Sequence, residues 1–106
     1  KQWLAGSLRP SGSLILDEGA CNALVRQGKS LLGVGVLKAS GDFGRGDLVQ
    51  LFDPDGLEIG RGLVNYTSLE CRKIIGIPSS AIEETLGFVH EPELIHRDNL
   101  LVESLS

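Results

Sequence analysis

Fourteen glycines stand in a chain of 106 residues, about twice the ordinary usage. Eight of them punctuate the apolar stretches of SLLGVGVLKASGDFGRGDLVQLFDPDGLEIGRGLVNY, residues 30–66. A chain interrupted this often cannot propagate long helices, and Gly-Asp, Gly-Arg-Gly-Asp and Pro-Asp-Gly are turn signals between short strands. The pattern predicts antiparallel strands near 34–39, 47–53, 57–61 and 62–66. Asp53-Pro54-Asp55-Gly56 is the clearest turn, because proline presets the second position and glycine accepts positive φ. Leu48 to Phe52 and Leu57 to Ile59 are then the arms of a hairpin.

Outside that region the period changes. The stretch Leu14-Ile15-Leu16 reads as a strand, followed by Asp17 as helix N-cap. Glu18 suits the positive helix start, and Ala20, Cys21, Leu24 and Val25 form one apolar face before Gly28 stops the helix. Thr67 and Glu70 have capping-box spacing ahead of Cys71, Ile74 and Ile75, with Gly76 closing a short second helix. Ser80 and Glu83 repeat the device ahead of Ile82 and Leu86, and Gly87 ends a third. LIHRDNLLV, residues 94–102, returns to a strand-like run. The order is one strand, a helix, four strands, two short helices and a last strand or two. Strands this short need closure or covering helices to hide their edges, which predicts a small barrel-like sheet, mainly β, with helices at its seams.

Composition bounds the rest. A single domain of this length buries roughly 65% of the surface its unfolded chain exposes, and the 42% hydrophobic content with only 5% aromatics predicts an aliphatic interior without stacked rings. No apolar run approaches the 18 or so residues of a membrane span, and the opening Lys1-Gln2-Trp3-Leu4 lacks the apolar stretch of a leader, so a soluble, cytoplasmic chain is expected. Cys21 and Cys71 lie in apolar-periodic segments without metal-ligand spacing and read as two buried reduced thiols, with a disulfide between them as the alternative. The net charge of −4 counts against nucleic-acid binding, although a local basic patch can sit on an acidic body.

Several motifs look like chemistry. Gly28-Lys29-Ser30 matches the tail of a P-loop, but the first glycine would fall at Ala23, inside a helix, and the helix precedes the loop, so no helix N-terminus faces the site. Ile95-His96-Arg97-Asp98 has the letters of a kinase catalytic loop, yet Glu103 stands where that loop carries a metal-binding Asn. Arg45-Gly46-Asp47 reads as a turn between strands. His90 and His96, six apart around Pro92, do not share a helix face as metal ligands would. No Ser/His/Asp or Cys/His set can be placed together, so catalysis by this chain is the least supported class.

From WLAGSLRPSGSLILDEGACNALVRQGKSLLGVGV through GDFGRGDLVQLFDPDGLEIGRGLVNYTS to IHRDNLLV, the chain resembles the C-terminal portion of bacterial glutamate 5-kinases, a PUA domain. The most specific pieces are Asp17-Glu18-Gly19-Ala20, Gly28-Lys29-Ser30-Leu31-Leu32, Gly41-Asp42-Phe43-x-Arg45-Gly46 and Ile95-His96-Arg97-Asp98. Gly33 departs from the pattern, standing where relatives usually carry proline. The resemblance implies a PUA-like pseudo-barrel of about six strands with flanking helices, a single PUA domain over residues 1–106. It implies a non-catalytic accessory or regulatory module of an enzyme of proline biosynthesis, whose kinase domain is missing here. That domain would hold ATP and magnesium, so no cofactor, metal or catalytic residue is expected in this chain. Expected partners are the parent kinase domain and neighbouring subunits, with no membrane. RNA is the alternative partner. In PUA domains that bind RNA the loop after the first helix takes part, which nominates Arg26, Gly28, Lys29 and Ser30.

Overall fold

The computed structural model describes residues 9–102; Lys1 to Leu4 and Glu103 lie outside the described residues. Five strands form one sheet: β1 (Gly12–Leu16), β2 (Val36–Gly41), β3 (Leu48–Phe52), β4 (Glu58–Leu63) and β5 (Leu100–Val102). Three helices, α1 (Glu18–Gln27), α2 (Ser68–Ile74) and α3 (Ile82–Leu86), and single 3-10 turns at Gly33–Gly35, Ser79–Ala81 and Arg97–Asn99 complete the described residues. The sheet order is β2-β1-β3-β4-β5. β1 pairs antiparallel with β2 but parallel with β3, Ser13 opposite Gln50 and Ile15 opposite Phe52. The antiparallel strands expected over residues 34–66 are thus joined by one parallel pair made by the first strand. The chain leaves β1 through α1 and β2 before returning on the far side of β1, and such a return runs parallel.

The local signals before the first three turns hold. Asp17 caps α1, its Oδ1 accepting from the Ala20 N–H at 2.7 Å. Thr67 and Glu70 form a reciprocal box, with Thr67 Oγ1 accepting from the Glu70 N–H at 3.2 Å and Glu70 Oε1 from the Thr67 N–H at 2.9 Å. The β3–β4 hairpin turns at Pro54-Asp55-Gly56, where Gly56 has φ 89°. Asp53 Oδ1 accepts from both the Asp55 and Leu57 N–H groups at 2.9 Å.

Other expectations change. The second strand begins at Val36, because residues 33–35 form a 3-10 turn, and its register slips between Ile15 and Leu16 so that Leu37 is left over and exposed. The third helix has no box from Ser80 and Glu83; Ala81 is its N-cap without a side-chain bond, and the Ser79 hydroxyl donates to the Pro92 carbonyl at 2.7 Å instead. The expected strands 57–61 and 62–66 are the single strand β4. Gly60 and Gly62 do not turn the chain; they let a neighbour approach. A Cβ on Gly60 would lie 2.6 Å from the Leu101 carbonyl oxygen and 3.0 Å from Val102 Cα, and one on Gly62 would lie 2.9 Å from Ile95 Cγ2. The terminal run divides into an isolated bridge at Ile95, a 3-10 turn capped by the His96 ring, and β5.

Leu14, Leu16, Val49, Leu51, Ile59, Ile74, Ile82 and Ile95 build an aliphatic core, joined by Phe43 and Tyr66. The Tyr66 hydroxyl, reached from the buried ring, accepts from the His90 and Glu91 N–H groups at 3.1 Å and donates to the Glu91 carbonyl, while its ring tilts against His90. The edge at β2 is covered by α2, whose Arg72 guanidinium donates to the Gly41 carbonyl at 2.6 Å. Among the described residues no helix is long and apolar enough to cross a membrane.

Gly60→Ala tests the close approach of β5 to β4. Because the obstacle is backbone, overpacking of about 1–3 kcal/mol is expected. Gly56→Ala, strained at φ 89° but with open space around it, is expected to lose about 1 kcal/mol. Urea unfolding should rank the midpoints parent, Gly56→Ala, Gly60→Ala.

Candidate functional site

Gly28 ends α1 in the left-handed region, at φ 62° and ψ 30°. Its N–H and that of Lys29, the latter at 3.1 Å, both point back to the Ala23 carbonyl. The amides that a P-loop would aim at phosphate are committed inside the helix end. Lys29 is left exposed, with its side chain carrying the only strong charge of the loop.

The chain then makes a long-range connection. Ser30 Oγ accepts from the Arg97 N–H at 2.8 Å. Leu31 donates to the Ile95 carbonyl at 2.9 Å and its own carbonyl accepts from Leu94 at 2.8 Å and Ile95 at 3.2 Å. The two segments dismissed separately as catalytic motifs, Gly28-Lys29-Ser30 and His96-Arg97-Asp98, are thus stitched side by side. Together with Leu24, Leu100 and Val102 they enclose a cleft of about 280 Å³ whose rim carries Lys29, Arg97 and Asp98. The His96 Nδ1 accepts from the Asp98 N–H at 3.1 Å, which fixes the turn that presents Arg97.

Of the four nominated residues, Gly28 and Lys29 line this cleft and Ser30 ties it together; Arg26 is exposed on the last turn of α1 and lines none of the clefts described here. Arg97 is the residue that sequence reasoning missed. Its partner Ser30 is 67 residues away, and nothing local to IHRD signals that contact. Two cations over an aliphatic floor can attract an anion, with the Asp98 carboxylate beside them opposing it. Among the described residues the lining has no aromatic side chain on which a base could stack.

Lys29 also edges a second groove, about 320 Å³, between α1 and residues 30–35. On the other flank of the helix, Glu18, Cys21 and Asn22 face Asp53, Pro54 and Asp55 across a third cleft of about 340 Å³. Both cysteines are free thiols, but only Cys71 is buried; Cys21 is half-buried, a correction that follows from its place on the helix flank. Burial pushes the Cys71 thiol up to about 12, with Glu70 adding to it. Burial also raises Cys21, assisted by Asp53, Asp17 and Glu18. Both shifts favour the protonated thiol over the thiolate.

The remaining motifs have structural settings. Asp47 of the Arg-Gly-Asp run accepts from the Gly44 N–H at 2.8 Å, closing a turn before β3. His90 packs its ring against Tyr66 and Phe88, whereas His96 caps its own turn, so the two serve different contacts.

Comparison with known proteins places this geometry. The family description for PUA domains matches residues 12–86. The glutamate 5-kinase of Ectopseudomonas mendocina (strain ymp) is 59% identical over 102 residues, covering 96% of this chain and 27% of that protein. The chain therefore spans about a quarter of the length of the curated relatives it matches. Among solved structures, a PUA domain from Aeropyrum pernix K1 in a tartrate complex superposes with TM-score 0.57 at 20% identity, over 89% of this chain and 42% of that one. A chain of the archaeal box H/ACA sRNP Nop10-Cbf5 complex superposes with TM-score 0.55 at 16% identity, over 88% of this chain and 23% of its own. At those identities the likeness is one of fold.

Replacing Ser30 with Ala removes the acceptor for the Arg97 N–H, for an expected loss of about 0.5–1.5 kcal/mol. Amide exchange at Arg97 should accelerate while the amides of β1 and β3 keep their protection. Ser30→Thr, which retains the hydroxyl, should restore the slow exchange.

Proposed function

The chain belongs to the PUA-domain family, and from that premise we propose that it is the non-catalytic accessory module of a glutamate 5-kinase, packed on the rest of that longer chain or on a neighbouring subunit and biasing its activity. The observation that carries the reading is the 59% identity, which runs through 96% of this chain yet occupies only 27% of the kinase. Phosphoryl transfer to glutamate, with its ATP and magnesium, is assigned in this reading to the remaining part of the kinase, in the cytoplasm. The Gly28 to Ser30 loop does not fit a triphosphate, since its first two amides are spent on Ala23 and the Ser30 hydroxyl on Arg97.

The test is deletion of this module from a full-length glutamate 5-kinase that carries it. ATP-dependent phosphorylation of glutamate is expected to persist, with a change in subunit assembly, magnesium response or inhibition by proline. A truncated enzyme unchanged in all three overturns the regulatory part of the reading.

A second reading, contact with structured RNA, is favoured by one observation: Lys29 and Arg97 share the rim of one cleft. The fold's occurrence in a box H/ACA sRNP chain supports it, and the net charge of −4 opposes it. Binding should weaken with salt, and Lys29→Glu should weaken it alike for all sequences while lowering the salt slope by about one phosphate contact. Titration at low salt that shows no more retention than an acidic control protein rejects this reading.

A further inference from the structure

Helix α1 separates two surfaces of opposite chemistry. At 3.6 residues per turn, Leu24 turns into the core, Asn22 and Arg26 face solvent, and the two flanks diverge. On one flank Gly19, Ala20 and Ala23 form the small-residue floor of the 320 Å³ groove, and Leu32 and Val34, 39% and 49% exposed, form its opposite wall. Lys29 stands at the rim; Asp17 also borders the groove, but its Oδ1 is engaged by the Ala20 N–H. Large aliphatic side chains left open around a preformed groove, beside a cation, are complementary to an acidic segment that carries an aliphatic side chain.

Such a segment lies on the other flank. The hairpin turn places Asp53 and Asp55 beside Glu18, and Leu57, next in the turn, is 58% exposed. Asp53 holds the Asp55 and Leu57 N–H groups, so the tip is ordered before any contact is made. The raised Cys21 thiol registers the negative field there, through Asp53, Asp17 and Glu18 after burial.

We propose that a second copy of this chain is the occupant: the tip bearing Asp55 and Leu57 of each copy docks in the groove between Lys29 and Val34 of the other. Groove and tip flank the outward face of one helix, so a two-fold axis running parallel to α1 lays tip over groove twice and closes the pair. The competing two-fold arrangement, groove on groove and tip on tip, sets Lys29 against Lys29 and the Asp53, Asp55 and Glu18 carboxylates against their own copies, which like charge disfavours. A contact limited to one helix and its flanks is at the low end of interface sizes, so the pair is weak and concentration-dependent.

Sedimentation velocity of the 106-residue chain, free of RNA and over a series rising to millimolar concentration, is expected to show a reversible monomer–dimer equilibrium. Leu57→Ser should weaken it about a hundredfold, about tenfold for each of the two leucines exposed. Lys29→Glu and Asp55→Lys should each weaken it about threefold or more, and combining both in one chain should restore the parental constant. All three positions are exposed, and circular dichroism should confirm that the variants fold. A chain that stays monomeric throughout, a Leu57→Ser variant that dimerises like the parent, or a double variant no tighter than the singles overturns the proposal.

Discussion

The pairing of Leu31 with the segment around Ile95 is the contact on which the rest depends. Leu31 is buried, and its backbone donor and acceptor are both used by Leu94 and Ile95. A strand edge at that depth would otherwise hold unpaired polar groups, each costing about 1–3 kcal/mol. The bridge therefore fixes where the chain's last third returns. It delivers Ile95 to the side of Gly62, sets β5 against β4, and brings Arg97 to Ser30. The return of the last strand to the sheet and the construction of the cleft thus share one bridge.

How much was legible in the sequence follows from the reach of each interaction. The caps at Asp17 and Thr67 and the hairpin turn at Asp53 to Gly56 are made between residues at most four apart, and a chain read in order displays them. The stop at Gly28 is of the same kind. The strand was divided between 61 and 62 because the glycines at 60 and 62 carry no local sign that they serve a close neighbour. The neighbour, β5, is 38 or more residues further on, as the pairing of Gly62 with Leu100 shows. Ser80 and Glu83 have the letters of a cap, but Pro78 starts a 3-10 turn that ends at Ala81 and takes the cap position first.

The candidate site divides in the same way. Lys29 was found because a cation beside a helix-ending glycine is a local feature. Arg97 was discarded because its own surroundings resemble a surface turn, which they are; its significance comes from Ser30. Conversely Arg26, close in sequence to the loop, is exposed on the last turn of α1 and is not among the residues lining the cleft. Consecutive helix positions differ by about 100° in direction, so nearness along the chain does not by itself bring a side chain to the cleft.

Lys29 is also the point at which the functional readings constrain one another. It stands between the cleft that holds Arg97 and the groove walled by Leu32 and Val34. A partner seated in the groove desolvates the ammonium and pairs it with a carboxylate, leaving Arg97 as the single cation facing the cleft and Asp98 beside it to offset the charge. An RNA phosphate seated in the cleft draws the same ammonium the other way. Both uses draw on the same ammonium, so protein docking and RNA contact through Lys29 are alternatives rather than companions. The direction taken by one lysine thus separates an assembly surface from a nucleic-acid surface.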